Sequence, residues 1–175
     1  IDASQFEQQG CNAPHTVFVE KGGVVSPKEF AKLLSAEMES TSKRIIRDPD
    51  TLPDIGKILT LRARYDMLGE AFYSKGLEWT VLYSDDDIGL ADPCYFRTLF
   101  VRPISDILEV ADFCSHLTQT AGVALNDKRK ENFALNVTAK GIDRVPDIGA
   151  MTAYEVPWDG IFMIDRLVRW CKISN

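Results

Sequence analysis

Cysteine, positive charge and long apolar runs are all scarce in this sequence, and each scarcity excludes a class of protein. Four cysteines occur in 175 residues, Cys11, Cys94, Cys114 and Cys171, and they are widely scattered. A secreted disulfide scaffold is smaller and denser in cysteine, and no Cys-x-x-Cys pair or Cys/His quartet stands at zinc spacing. Reduced thiols in a cytoplasmic protein are expected, and no metal. The longest apolar stretches are a few residues, far short of a membrane span. The first residues, with Asp2, Gln5 and Glu7, lack the basic flank and apolar run of a secretory signal. Twenty Lys and Arg face 26 Asp and Glu, a formal charge of −6. That balance argues against nucleic acid, whose binders need cations to displace counterions from phosphate. No internal repeat, low-complexity linker or Gly-x-Gly-x-x-Gly occurs.

What remains is ordinary globular material. Hydrophobic residues make up 45% and charged residues 26%, enough for one domain with its own core. Thr16–Glu20 reads as a short buried strand ended by a turn at Gly22 and Gly23. Ser26, Pro27 and Glu29 then spell a helix start, with Ser26 as cap, Pro27 first and Glu29 closing a capping box. Phe30, Leu33, Leu34 and Met38 share one face of that helix, which Asp48–Pro53 should break. A second helix from Ile55 carries a stripe of Ile58, Leu59, Tyr65, Leu68 and Phe72. Trp79–Tyr83 and Tyr95–Val101 are β-rich, separated by an acidic turn at Asp85-Asp86-Asp87 that reads as solvated. Ser105 should cap a helix reaching Thr118. Gly122–Leu125 and Ile142–Pro146 read as strands, with a helix from Asp127 between them. Trp158–Ile173 reads as an amphipathic helix burying Ile161, Ile164, Leu167, Val168 and Cys171. Alternation of this kind predicts an α/β fold, a mostly parallel sheet flanked by helices.

The chemistry-bearing stretch is Phe6 to His15. Cys11 follows Gly10 in a turn just ahead of a buried strand, so its sulfur is accessible and backbone N–H groups can stabilise a thiolate or an oxyanion. The same local features also fit a small buried filler, the commonest fate of a free cysteine. Asn12 is either an amide donor to an oxyanion or a cap of the turn. His15, four residues on, is either a base or acyl-pocket group, or a hydrogen-bonded histidine at a strand start. Cys114 with His116 lacks further ligands nearby and reads as structural. Lys128-Arg129-Lys130 opens a helix and reads as a surface cluster, with a ligand phosphate as the alternative. Arg144 and Asp159 fit a buried ion pair or cap as well as a substrate role.

Gln8-Gln9-Gly10-Cys11-Asn12-Ala13-Pro14-His15 followed by Thr16–Glu20 resembles the nucleophile segment of the aldehyde dehydrogenase superfamily. Its Cys-x-x-Pro-His continuation looks most like the long-chain acyl-CoA reductases of bacterial bioluminescence operons. Gly141–Gly149 and Trp158-Asp159-Gly160 are similar to that family's C-terminal pattern. Ala91–Phe96 stands where the superfamily carries a Glu-Glu-x-Phe-Gly-Pro element. The resemblance implies an aldehyde dehydrogenase-like catalytic domain over residues 1–175, with Cys11 as nucleophile. It also implies NADPH as hydride source, with a nucleotide-binding domain expected upstream and largely absent. The chain begins with Ile1, and these residues alone are not expected to turn over.

The expected function is therefore NADPH-dependent reduction of a long-chain acyl-CoA or acyl-protein thioester to a fatty aldehyde for bioluminescence. The resemblance further implies an acyl-protein synthetase and an acyl transferase as partners, and a homo-oligomer is expected from the apolar face a lone catalytic domain exposes. Rival readings are an aldehyde-oxidising branch, a non-catalytic domain that kept the fold, and a Cys–His hydrolase using His15 or His116.

Overall fold

Strands β1 (Thr16–Glu20), β2 (Glu70–Tyr73), β3 (Thr80–Tyr83) and β4 (Thr98–Ile104) form one sheet in the order β1-β4-β3-β2. The computed structural model describes residues 1–47 and 53–174. β1 and β3 both run parallel to β4, and β2 is antiparallel to β3. The chain is thus α/β with a mostly parallel sheet flanked by helices, consistent with an aldehyde dehydrogenase-like fold.

Side chains alternate across the sheet and divide its core in two. Val17, Val19, Val81, Tyr83, Leu99 and Val101 meet helix α1 (Pro27–Arg44) through Ala31 and Met38. Leu82 and Phe100 face the other way and meet Ile58 and Tyr65 of helix α2 (Ile55–Leu68). Phe18 and Ile104 join a third cluster with Phe133 and Val137 of helix α3 (Asp127–Thr138). The capping box of α1 is formed as expected: Ser26 Oγ accepts from the Glu29 N–H, and the Glu29 carboxylate accepts from the Ser26 N–H. The helix break expected at Asp48–Pro53 falls almost wholly outside the described residues.

Five local expectations need correction, each for an identifiable reason. Leu33, Leu59 and Leu68 are exposed rather than in the helix stripes, because the sheet meets only a narrow strip of each helix. Phe72 lies in β2, not in α2. Gly69 ends that helix where any Cβ would collide with the Tyr83 carbonyl. β4 begins at Thr98 and not Tyr95, because Tyr95, Phe96 and Arg97 form a left-handed turn with φ of 60°, 53° and 58°. The segment after β4 is a 3-10 helix, Ile107–Phe113, capped by Asp106 instead of Ser105. It stops short of Thr118 because Ser115 and Thr118 close a turn of their own. Gly122–Leu125 and Ile142–Pro146 do not join the sheet; bridges Thr120↔Arg144 and Val123↔Asp147 pair their neighbourhoods in parallel.

The C-terminal segment departs furthest. Asp159 and Gly160 both take positive φ, 50° and 69°, and Trp158 and Ile161 exchange backbone hydrogen bonds of 3.2 and 2.9 Å. An Asp-Gly pair with two positive φ is a tight hairpin turn, and it pre-empts a helix from Trp158. Only Met163–Leu167 (α4) is helical, and it is exposed throughout. No described helix is long and apolar enough to cross a membrane.

Candidate active site

Cys11 sits on a tight turn, closed by the Ala13 N–H donating to the Gly10 carbonyl at 3.0 Å, and its side chain is exposed. The residues before it are held firmly. Phe6, Glu7 and Gln8 form a left-handed turn with φ of 52°, 52° and 61°. Such conformations cost about 1–3 kcal/mol per non-glycine residue and persist only where the surroundings impose them. Here the imposition is visible. Gln8, fully buried, acts as a surrogate strand partner at Thr98: its Oε1 accepts from the Thr98 N–H at 2.8 Å and its Nε2 donates to the Thr98 carbonyl at 3.0 Å. The same Nε2 donates to the Pro14 carbonyl at 2.7 Å, tying both ends of the cysteine turn together.

Glu7 adds a buried ion pair. Arg97, 1% exposed, donates from Nη2 to Glu7 Oε1 at 2.6 Å and from Nη1 to the Ile45 carbonyl at 2.7 Å. The Glu7 carbonyl accepts from the Phe96 N–H at 3.0 Å. The two left-handed turns, 6–8 and 95–97, therefore lock onto each other. Glu7, Gln8 and Arg97 were not singled out from sequence. A usable signal existed: an arginine inside the apolar run Tyr95–Val101 needs a buried acid, because an unpaired charge cannot be desolvated cheaply.

Beyond Cys11 the hold is lighter. Asn12 Nδ2 donates to the Met151 carbonyl at 2.9 Å. His15 is half-buried, edge-on to Tyr95 with ring centroids 5.2 Å apart, and its Nδ1 is buried without a partner. Burial lowers its pKa below the usual 6.5, so the neutral imidazole is favoured. His116 is exposed and lies against Gly141. A cleft of about 690 Å³ opens beside the turn, lined by Phe6, Glu7, Gly10, Ile45, Ile46 and Arg97 among others. In its wall Ser4 Oγ, Glu7 Oε2 and Arg97 Nε are buried without hydrogen-bond partners.

The remaining candidates take structural places. Cys94 is buried, and Cys114 donates from Sγ to the Val110 carbonyl at 3.2 Å; burial raises both thiol pKa values. Arg129 pairs with Glu20 at 2.7 Å and Lys130 with Asp147 at 2.7 Å. In the acidic turn Asp85 and Asp86 are exposed, as expected, and two of its carboxylates also accept hydrogen bonds: Asp85 from the Tyr83 hydroxyl at 2.8 Å, and Asp87 from Tyr65. Desolvation, then those hydrogen bonds, push both phenols up to about 12. Arg144 makes neither an ion pair nor a helix cap among the described residues. It donates to the Met151 and Ala153 carbonyls at 3.2 and 2.9 Å and lies over the Trp158 ring at 4.1 Å. Asp159 sits in the tight turn with Oδ1 buried and unpartnered. No three His, Cys, Asp or Glu side chains group as a metal site among the described residues.

A family model described as Acyl-CoA reductase (LuxC) matches residues 1–170. The chain belongs to this family. No curated protein matches it. Membership in a reductase family makes a nicotinamide cofactor the natural question, and the described residues do not fit one. A dinucleotide pyrophosphate binds at a helix N-terminus after a glycine-rich turn. Here the N-termini of α1, α2 and α3 are closed by the side chains of Ser26, Asp54 and Asn126. In α1 the Glu29 carboxylate occupies the place where a phosphate would stand.

Proposed function

We propose that this acyl-CoA reductase family chain carries the nucleophile of a reductase that converts long-chain acyl-CoA or acyl-protein thioesters to fatty aldehyde. The observation that carries the reading is Cys11: an exposed thiol on a turn braced on both sides by hydrogen bonds of buried residues. Exposure admits a thioester, and bracing fixes the direction of attack, which is where orientation contributes most to rate.

In the proposed step Cys11 Sγ, as thiolate, bonds to the acyl carbon. The tetrahedral oxyanion is held by the Cys11 N–H and collapses, and the bond from the acyl carbon to the CoA sulfur breaks. CoA thiolate leaves and takes up a proton from solvent. The acyl-enzyme keeps its electrophilic carbonyl because sulfur donates poorly into it. His15, neutral and half-buried, is assigned a polar wall of the acyl pocket, and Asn12 the orientation of the turn. The hydride that reduces the acyl group comes in this reading from NADPH, and no residue of this chain is assigned to hold it. On this reading the nucleotide-binding domain belongs upstream of the nucleophile-bearing one. The aldehyde serves bioluminescence, with an acyl-protein synthetase and an acyl transferase as partners and a homo-oligomer as the working form.

The test is to incubate the intact protein with a long-chain acyl-CoA without nicotinamide, digest, and weigh the peptide holding Cys11. The expected result is one acyl group on Cys11 and none after Cys11→Ser. Absence of label, or label elsewhere, removes the proposal.

A further inference from the structure

One chain of contacts reaches the nucleophile turn from the far end of the sequence. Asn12, adjacent to Cys11, gives its amide hydrogen to the Met151 carbonyl at 2.9 Å. The same oxygen accepts from Arg144 Nη1 at 3.2 Å, and Arg144 Nη2 donates to the Ala153 carbonyl at 2.9 Å. The guanidinium lies over the Trp158 ring at 4.1 Å, and Tyr154 stacks on that indole with ring centroids 5.5 Å apart. The middle of the chain of contacts is firmly seated. Arg144 is 6% exposed and Met151 5%. The Arg144 backbone is fixed by the Ala121 N–H donating to its carbonyl at 3.0 Å. Met151 packs so closely on Gly122 that a Cβ there would stand 2.7 Å from its sulfur. The Asp159-Gly160 turn holds Trp158 in place.

Two features make this more than packing. Arg144 is a buried cation with no carboxylate partner among the described residues, an expensive choice where a methionine would fill the space. Its planar fork suits two carbonyls at once, which a lysine ammonium does not. A second donor on the Met151 oxygen also fixes where that oxygen stands, so Asn12 is held against an anchored acceptor.

We infer that Arg144 is a positioning residue for Cys11, acting through the Met151 carbonyl and Asn12. The inference rests on the reading of Cys11 as an acyl-accepting nucleophile. Arg144 does not touch the thioester; it sets the angle at which the turn presents the sulfur. Misplacement of a reacting atom by about 1 Å costs on the order of 100-fold in rate.

The experiment is a double-mutant cycle in the intact protein with Asn12→Ala, Arg144→Met and the pair. Two rates are followed at Cys11 by peptide mass: acyl transfer from acyl-CoA in a single turnover, and alkylation by iodoacetamide. Iodoacetamide needs no defined approach, so its rate reports whether the thiol is accessible and ionised. The expected result is at least a tenfold loss of acyl transfer in each single variant, with alkylation and KM within about twofold of wild type. The pair falls no further than the worse single. Arg144→Lys recovers part of the loss, and it takes the place of Arg144→Met in the cycle should the latter fail to fold. Losses that multiply in the pair, or equal losses of alkylation and acyl transfer, overturn the inference. Wild-type acyl transfer with undiminished transfer in the Arg144 variant also overturns it while leaving the function intact. No acyl transfer in wild type removes both.

Discussion

The two flanks of the cysteine turn are held in different ways. Upstream, Glu7 and Gln8 are sewn into the sheet by the buried Arg97 pair and by hydrogen bonds to both backbone groups of Thr98. Downstream, Asn12 relies on one hydrogen bond to a carbonyl contributed by the C-terminal segment. The first flank is part of the core and must form for the chain to fold. The second is added late in sequence and by a short polar chain. The contrast teaches that stability and aim are divided between the flanks: upstream changes should unfold the protein, downstream changes should misdirect it.

The largest expected effect lies upstream. Arg97→Met leaves the buried Glu7 carboxylate with only the looser contact to Arg47 Nε at 3.8 Å, and breaking a buried pair costs about 3–5 kcal/mol. The urea midpoint should fall accordingly, and Glu7→Leu added to Arg97→Met should restore most of the loss. An exposed-pair effect below about 1 kcal/mol would erase the contrast. Gln8→Leu comes next. It removes the donor to the buried Thr98 carbonyl and the part-buried Pro14 carbonyl and leaves the Thr98 N–H only the Tyr95 carbonyl at 3.1 Å, at about 1–3 kcal/mol for the unsatisfied groups. Asn12→Ala, measured in the same denaturation series, should cost less than either.

The smallest effect sharpens the downstream side. Burial holds His15 below its usual pKa of 6.5, so the folded state prefers it neutral. The resulting stability is fully present above pH 6.5 and is lost as pH falls through the lowered folded value. Urea midpoints at pH 7.5 and pH 5 should therefore differ by less in His15→Gln than in wild type. An equal difference in both would show that His15 is not desolvated in the fold.

Much of the scaffold was legible because its signals are local. Ser26-Pro27-Glu29 spells a helix start that needs no tertiary help, and the short β-rich runs Thr16–Glu20 and Trp79–Tyr83 mark buried strands directly. What was hidden depends on partners distant in sequence. Phe72 continues a helical stripe until Gly69 is seen against the Tyr83 carbonyl. Trp158–Ile173 has helical periodicity, yet Asp159-Gly160 encodes a tight turn, and a short helix without a face to pack on gains little. In the candidate site, Cys11 is visible as a residue type in a turn. The brace around it is not, because Gln8–Thr98 and Glu7–Arg97 each span 90 residues and Asn12–Met151 spans 139.

The most direct measurement of the central claim is the release of CoA thiol on mixing the intact protein with excess long-chain acyl-CoA in the absence of nicotinamide. A burst of one CoA per Cys11, abolished in Cys11→Ser and unchanged in Cys171→Ser, is the predicted result. No burst, or a burst that survives the loss of Cys11, would contradict the account.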